Sequence, residues 1–318
     1  MPISDATIRT VKYPPELLPD SWFGALAANA EVAPPILDLR TFSPYLLELT
    51  NIQLTSLVAL NPNLRVTYDD VRVVEQNTLE MLFYLDGAVI NRPLPGAWRF
   101  PAKTQLYYNL FGTGIVANYT THFGVWAYPP TIAHKLMWGI TLNAKEQAIN
   151  KELGIADTVE KGLLPIPISQ LIEREYPVVG EETHTRNINI AAGGNTVFPI
   201  EVMYARPGEI LVLTRIAASP STPAQNARIV IDRDNDFNYL TFPTNPLDTV
   251  AGGEIACFIP ALTQIRLTTL ATNITAAQWI RYTIKRVKLT NILRVRFGIM
   301  SEADAPADLY KKVIAGVV

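Results

Sequence analysis

The sequence is poor in cysteine, histidine and charge, and each shortage excludes something. A single thiol, Cys257, permits neither an intrachain disulfide nor a thiolate metal cluster. Only 18% of the 318 residues are charged, against an average of about 25%, while 48% are hydrophobic. Interface cores are depleted of charge, so this composition points to surface that is buried against partners. Lys and Arg number 27 and Asp and Glu 29, so the net charge is −2 and there is no global attraction to nucleic acid or membrane. No apolar run approaches the roughly 18 residues of a membrane helix. The start, Met1-Pro2-Ile3-Ser4-Asp5, has no basic segment leading into an apolar one. A protein made in the cytosol, with no membrane span, is the expectation.

Motifs that carry chemistry are also missing. There is no Gly-x-Ser-x-Gly elbow, His-Glu-x-x-His pair or Walker phosphate loop, so no catalytic or cofactor-binding residue is predicted and the chain is read as non-enzymatic. His122, His134 and His184 are far apart in sequence, whereas a metal site needs several ligands together. Gly112-Thr113-Gly114 lacks the third glycine of a nucleotide loop and reads as a turn.

What the chain has in abundance is strand pattern. Residues 1–45 carry Pro14, Pro15, Pro19, Pro34, Pro35 and Pro44 among apolar residues, and read as an extended arm that lies across a surface, its own or a neighbour's; as an assembly tie it would be dispensable for folding. Residues 46–130 alternate as strands, with Val71-Arg72-Val73 among them and Asp86-Gly87 as a hairpin turn. A helical connector, 131–180, completes this first sandwich. In it Asn143 and Glu146 form a capping box closed by Gly154, and Asp157 with Glu160 starts a second short helix ending at Gly162. Leu163 to Ile168 read as extended. Strands resume over 181–300 as a second sandwich, and 301–318 form a tail with a short helix carrying Leu309, Val313 and Ile314. The fold class is mainly β: two related antiparallel, jelly-roll-like sandwiches.

The halves repeat one another. Leu54-Thr55-Ser56-Leu57-Val58-Ala59 matches Leu213-Thr214-Arg215-Ile216-Ala217-Ala218, and Pro101-Ala102-Lys103-Thr104-Gln105-Leu106 matches Pro260-Ala261-Leu262-Thr263-Gln264-Ile265, both at an offset of 159 (213 − 54 and 260 − 101). Asn63-Leu64-Arg65-Val66 resembles Asn226-Ala227-Arg228-Ile229 at a slightly different offset. The pattern predicts an internal duplication, and a block with two similar edges suits symmetric assembly.

Three sets of residues are candidate sites. Asp232, Asp234 and Asp236 alternate as a hard cation such as Ca²⁺ prefers. Phe237 and Pro243 nevertheless occupy the places of the EF-hand glycine and glutamate, and a solvated turn is the competing reading. Arg281, Lys285, Arg286, Lys288, Arg294 and Arg296 form a basic stripe, with several of these charges on one face of a predicted strand. It is able to face phosphates, a partner or water, with nucleic-acid contact not favoured. Trp98, Tyr107, Tyr108, Tyr119 and Trp126 offer sugar-stacking platforms if the chain is a carbohydrate-binding or adhesive module.

A proline-rich arm, duplicated β-sandwiches, an intervening helix and low charge resemble the double jelly-roll capsid proteins of tailless viruses. Pro207-Gly208-Glu209-Ile210-Leu211-Val212-Leu213 is similar to β-sandwich surface proteins of phage particles. The resemblance is of architecture and carries over no functional residue. It implies a virion structural protein, made in the host cytoplasm, whose partners are copies of itself and other virion proteins.

Overall fold

The computed structural model describes residues 3–40, 45–56, 63–69, 78–81, 92–93, 100–112, 116–162, 168–190, 196–218, 226–243, 255–272 and 276–318. The expected strand at 71–73 and the hairpin turn at Asp86-Gly87 lie outside the described residues. The first half holds β1 (Glu16–Leu26), β2 (Leu37–Arg40), β3 (Leu46–Ser56), β4 (Asn63–Tyr68) and β5 (Thr78–Met81). It continues with β6 (Arg92–Pro93), β7 (Phe100–Ala102), β8 (Gln105–Phe111) and β9 (Ala117–Tyr128). One sheet runs β1-β9-β3, with β6 and β7 both paired to β3, and a second sheet runs β2-β8-β4-β5. Taking β6 and β7 together as the sixth position, the order is 1-8-3-6 in one sheet and 2-7-4-5 in the other.

The second half holds β10 (Val178–Ile190), β11 (Thr196–Tyr204), β12 (Glu209–Ala218), β13 (Asn226–Arg233), β14 (Asp236–Pro243), β15 (Ile255–Ala261), β16 (Gln264–Thr272) and β17 (Ala276–Lys288). Its sheets are β10-β17-β12-β15 and β11-β16-β13-β14, again 1-8-3-6 and 2-7-4-5. Eight antiparallel positions in this order form a jelly roll, so the chain is a double jelly roll in topology. The two 1-8-3-6 sheets are fused edge to edge where β1 pairs with β15 at Leu17↔Phe258, making one nine-stranded sheet.

The cores follow from period-two alternation. Leu18, Leu37, Leu39, Leu47, Leu49, Leu106, Tyr108 and Phe123 fill the first sandwich, and Leu211, Leu213, Ile229, Ile231, Ile265, Leu267, Ile280 and Tyr282 fill the second. In β12 the unbroken run Ile210-Leu211-Val212-Leu213 is buried on both faces. Its odd residues point into the sandwich, and its even residues meet Tyr176, Phe258 and Leu293 on the far side.

The proline-rich start is not an arm. It forms α1 (Asp5–Arg9), β1 and β2, and β1 pairs with β9 from Glu16↔Ala127 to Leu26↔Ala117. Pro19 is tolerated within β1 because the strand is paired in full on one side only, its register with β15 being the single pair at Leu17.

The remaining helices are α2 (Ile132–Met137), α3 (Ala144–Leu153), α4 (Ile155–Glu160), α5 (Ile168–Glu175), α6 (Asn291–Arg296) and α7 (Ala307–Ala315), of which α7 packs against α2, α3 and α6. The Asn143–Glu146 capping box and the left-handed Gly154, φ +60°, bound α3 as the sequence predicts. Helix α4 starts at Ile155, directly after that glycine, and not at Asp157. Of the predicted extended connector, 163–167 lie outside the described residues and Ile168 opens α5.

Candidate functional site

The strongest sequence repeat has a structural cause. Asp69 and Asp234 each follow the fourth strand of their jelly roll in a left-handed conformation, at φ 65° and 44°. Asp234 accepts hydrogen bonds from the backbone N–H groups of Leu262 (2.9 Å), Thr263 (2.6 Å) and Gln264 (3.2 Å) and from Thr263 Oγ1 (2.6 Å). Asp69 accepts from the N–H groups of Lys103 and Thr104 in the same way. Each aspartate N–H donates to a glutamine carbonyl, that of Gln105 at 2.7 Å or Gln264 at 3.1 Å. The repeated Pro-Ala-x-Thr-Gln turn is therefore a clamped corner. Its alanine and its closing Leu106 or Ile265 are buried, and the polar residues between them face out.

This corner accounts for Asp234, and an arginine just beyond it on β16 accounts for Asp232. Burial opposes ionisation of Asp234, but its hydrogen bonds outweigh burial and hold the carboxyl below the usual range. With Asn235 at φ 68°, Asp234 forms the two-residue turn between β13 and β14. Asp232 is buried and accepts from Arg266 Nη2 at 2.5 Å and Nε at 2.9 Å. The side chain of Asp236 lies outside the described residues. No group of three or more His, Cys, Asp or Glu suited to a metal forms among the described residues.

The basic stripe is divided between two elements. Arg281, Lys285, Arg286 and Lys288 lie on β17, but Arg294 and Arg296 lie on α6, because Thr290 caps a new helix there. Lys285 faces Glu181 at 3.6 Å, Arg286 donates to Glu182 at 2.9 Å, and Arg296 donates to both oxygens of buried Glu175 at 2.5 and 3.2 Å. Arg281 lies over the Trp279 ring at 5.7 Å, while Lys288 and Arg294 are exposed.

Tyr108 of the aromatic platform is interior, while Tyr107 and Trp126 are half-buried. Tyr108 is fully buried and bonds Thr121 Oγ1 at 2.6 Å, and Trp126 packs on Phe258 with ring centroids 5.7 Å apart. Tyr107 donates to Glu31 at 3.3 Å. Trp98 and the side chain of Tyr119 lie outside the described residues. The histidines are dispersed over β9, α2 and β10. His134 sits against Thr131 at 2.9 Å, and burial together with the Arg296 charge lowers its pKa to about 4.

Two features escaped the sequence. Glu16 on β1 and Arg233 on β13 form a fully buried ion pair at 2.6 Å across the junction of the jelly rolls. Glu16 Oε1 also accepts from the N–H groups of Lys12 and Tyr13, while Arg233 donates to the Pro260 carbonyl and lies over the Tyr13 ring. The one signal was an acid beside the apolar pair Leu17-Leu18. Near the same seam is a cleft of about 310 Å³ walled by Leu17, Trp126, Ile172, Val212, Phe258 and Lys285. It is contributed by strands and a helix distant in sequence, which no local pattern announces.

No protein-family model matches the chain, and no curated protein matches it in sequence. Among solved structures it aligns with a chain of the Sulfolobus turreted icosahedral virus at TM-score 0.26 and 8% identity, over 83% of this chain and 57% of that one. It aligns with the VP2 subviral particle of infectious bursal disease virus at TM-score 0.25 and 8% identity, over 88% and 74%. Pumpkin seed globulin is matched at TM-score 0.20 and 10% identity, over 83% and 76%. Viral particle proteins thus stand beside a seed protein, and superpositions this loose establish no shared ancestry or activity. By its own strand order the chain is a mainly β protein made of two jelly rolls sharing one sheet.

Proposed function

We propose that the chain is a structural, self-assembling subunit of a virus particle, whose partners are copies of itself and other virion proteins. It works in the virion after synthesis in the host cytoplasm. The observation that carries this reading is the pair of jelly rolls with one strand order, joined through β1 and β15 into one sheet so that the block has two similar flanks. Such a block presents like surfaces twice, which suits closed symmetric packing. Duplication of an ancestral jelly roll is part of the proposal. It is supported by the shared corner, where Ala102 pairs with Leu47 of β3 and Ala261 with Leu211 of β12 at the same place in each jelly roll. The polar candidates support it as well, since the described aspartates and several basic residues are engaged with protein groups and not gathered around a reaction centre. Low charge adds surface suited to burial.

Negative-stain imaging of the full-length protein at increasing concentration tests the proposal. Rings, shells or uniform capsomer-like particles are expected. Single compact particles at every concentration, together with saturable glycan binding, would replace it with the carbohydrate-binding reading.

A further inference from the structure

β10 is the outermost strand of the nine-stranded sheet, and among the described residues it is paired along one side only, to β17. An open edge thirteen residues long is a template for another strand, and proteins commonly blunt such edges with lysine, proline or a bulge. Val178–Ile190 contains no lysine and no proline, and its one register shift lies at the very start, between Val178 and Gly180. Exposed apolar side chains collect at the same margin. Of the seven large ones among the described residues, Val178 and Val179 begin β10, and Val202 and Tyr204 end β11, the edge strand of the facing sheet.

The charges on β10 are self-complementary in one register. Two copies related by a twofold axis perpendicular to the sheet place residue i opposite residue j with i + j constant, and both must point to the same face, so the sum is even. With the axis at His184, Glu182 lies opposite Arg186 of the second copy, Arg186 opposite its Glu182, and Thr183 opposite its Thr185. Moving the axis to Thr185 sets Arg186 against His184, and moving it to Thr183 leaves Arg186 against Gly180. Glu182 and Arg186 have side chains 43% and 44% exposed while keeping their intrachain partners, Arg286 at 2.9 Å and Glu201 at 2.5 Å. Joined about His184, the order becomes Arg286, Glu182, Arg186, Glu201, alternating in sign across the boundary between copies. Opposite charges facing across antiparallel strands stabilise the pairing.

We infer that two copies of this chain join through β10, antiparallel about a twofold axis at His184, and continue the nine-stranded sheet from one copy into the next. The inference rests on the self-assembly reading and names a surface for it.

Residues directly opposite in an antiparallel pair lie within the Cα separation of a disulfide. The native thiol, Cys257, is buried, so a thiol at position 184 in the full-length H184C variant reports alone. Mild oxidation is expected to give a disulfide-linked dimer several-fold more abundant than from S301C, whose site is exposed and outside the strand. Should H184C not fold, an equimolar mixture of T183C and T185C replaces it, expected to cross-link while either variant alone does not. Linkage no greater than in S301C, or none in the mixture, in protein that light scattering finds oligomeric overturns the β10 pairing and leaves self-assembly intact. Wild-type protein that is monomeric throughout overturns both.

Discussion

Glu16 and Arg233 are the residues on which the junction depends most, because neither charge has access to water. Breaking one side of a buried ion pair leaves the other charge uncompensated and costs about 3–5 kcal/mol, whereas replacing both by apolar groups of similar volume is often close to neutral. Glu16→Gln is expected to lose about 3 kcal/mol in urea unfolding, and the double variant E16L/R233M to recover most of it. A loss below about 1 kcal/mol for Glu16→Gln would mean that the pair does not hold the halves together.

Two further buried residues set the response to acid, with opposite signs. Burial raises the pKa of Asp20 to about 6, despite hydrogen bonds donated by the N–H groups of Ile3 and Ser21. Its contribution to stability is therefore full below its unfolded value of 3.8 and is lost as pH rises through about 6. His134, lowered to about 4, contributes stability that is full above 6.5 and is lost as pH falls towards 4. Each amounts to about 3 kcal/mol, so the two nearly cancel between pH 4 and 6. Asp20→Asn should lose about 2 kcal/mol more than wild type on acidification from pH 6.5 to 4.5, and His134→Gln should gain by a similar amount relative to wild type. Parallel pH profiles for wild type and both variants, from denaturant unfolding, would contradict these assignments.

At the scale of elements, β1 changes what truncation should do. Prolines made residues 1–45 read as a removable arm, but β1 supplies Leu18 and Leu26 to the first core and joins the two sheets. Deleting residues 1–44 removes α1, β1 and β2, and the first jelly roll is expected to lose cooperative unfolding and become prone to aggregation. A soluble truncated protein with an unchanged melting temperature would restore the arm. Composition could not reveal β1, because Pro19 is excluded only from strands that must donate on both sides, and pairing partners are a tertiary fact. The strands of the second jelly roll were legible because they are runs of aliphatic and β-branched residues bounded by turn signals such as Pro207-Gly208. Helix α3 was legible because Asn143, Glu146 and Gly154 declare its ends locally. Helix α6 was hidden within a basic run that continues from β17. The aspartate run looked like a cation loop because the donors that occupy Asp234 come from a corner about thirty residues further along the chain.

For the whole molecule, the offset of 159 holds at the Pro-Ala-x-Thr-Gln corner, where Ala102 pairs with Leu47 and Ala261 with Leu211; on the third strands equivalent positions are 164 apart (211 − 47), so the match of Leu54–Ala59 with Leu213–Ala218 is not one of structure. Each Pro-Ala-x-Thr-Gln corner carries a buried alanine, a clamping aspartate from another strand and a buried aliphatic closing residue, which restrict substitution within the turn. The edge-to-edge fusion of the sheets and the open β10 margin, by contrast, arise only once the strands are ordered in space. The central claim, that this double jelly roll is built to assemble with itself, is tested most directly by the mass of the full-length protein in solution, measured by size exclusion with light scattering across a wide concentration range. The account predicts a discrete multiple of 35.2 kDa, a dimer or larger, persisting on dilution or recovered on concentration. A single species of 35.2 kDa at every concentration would contradict it.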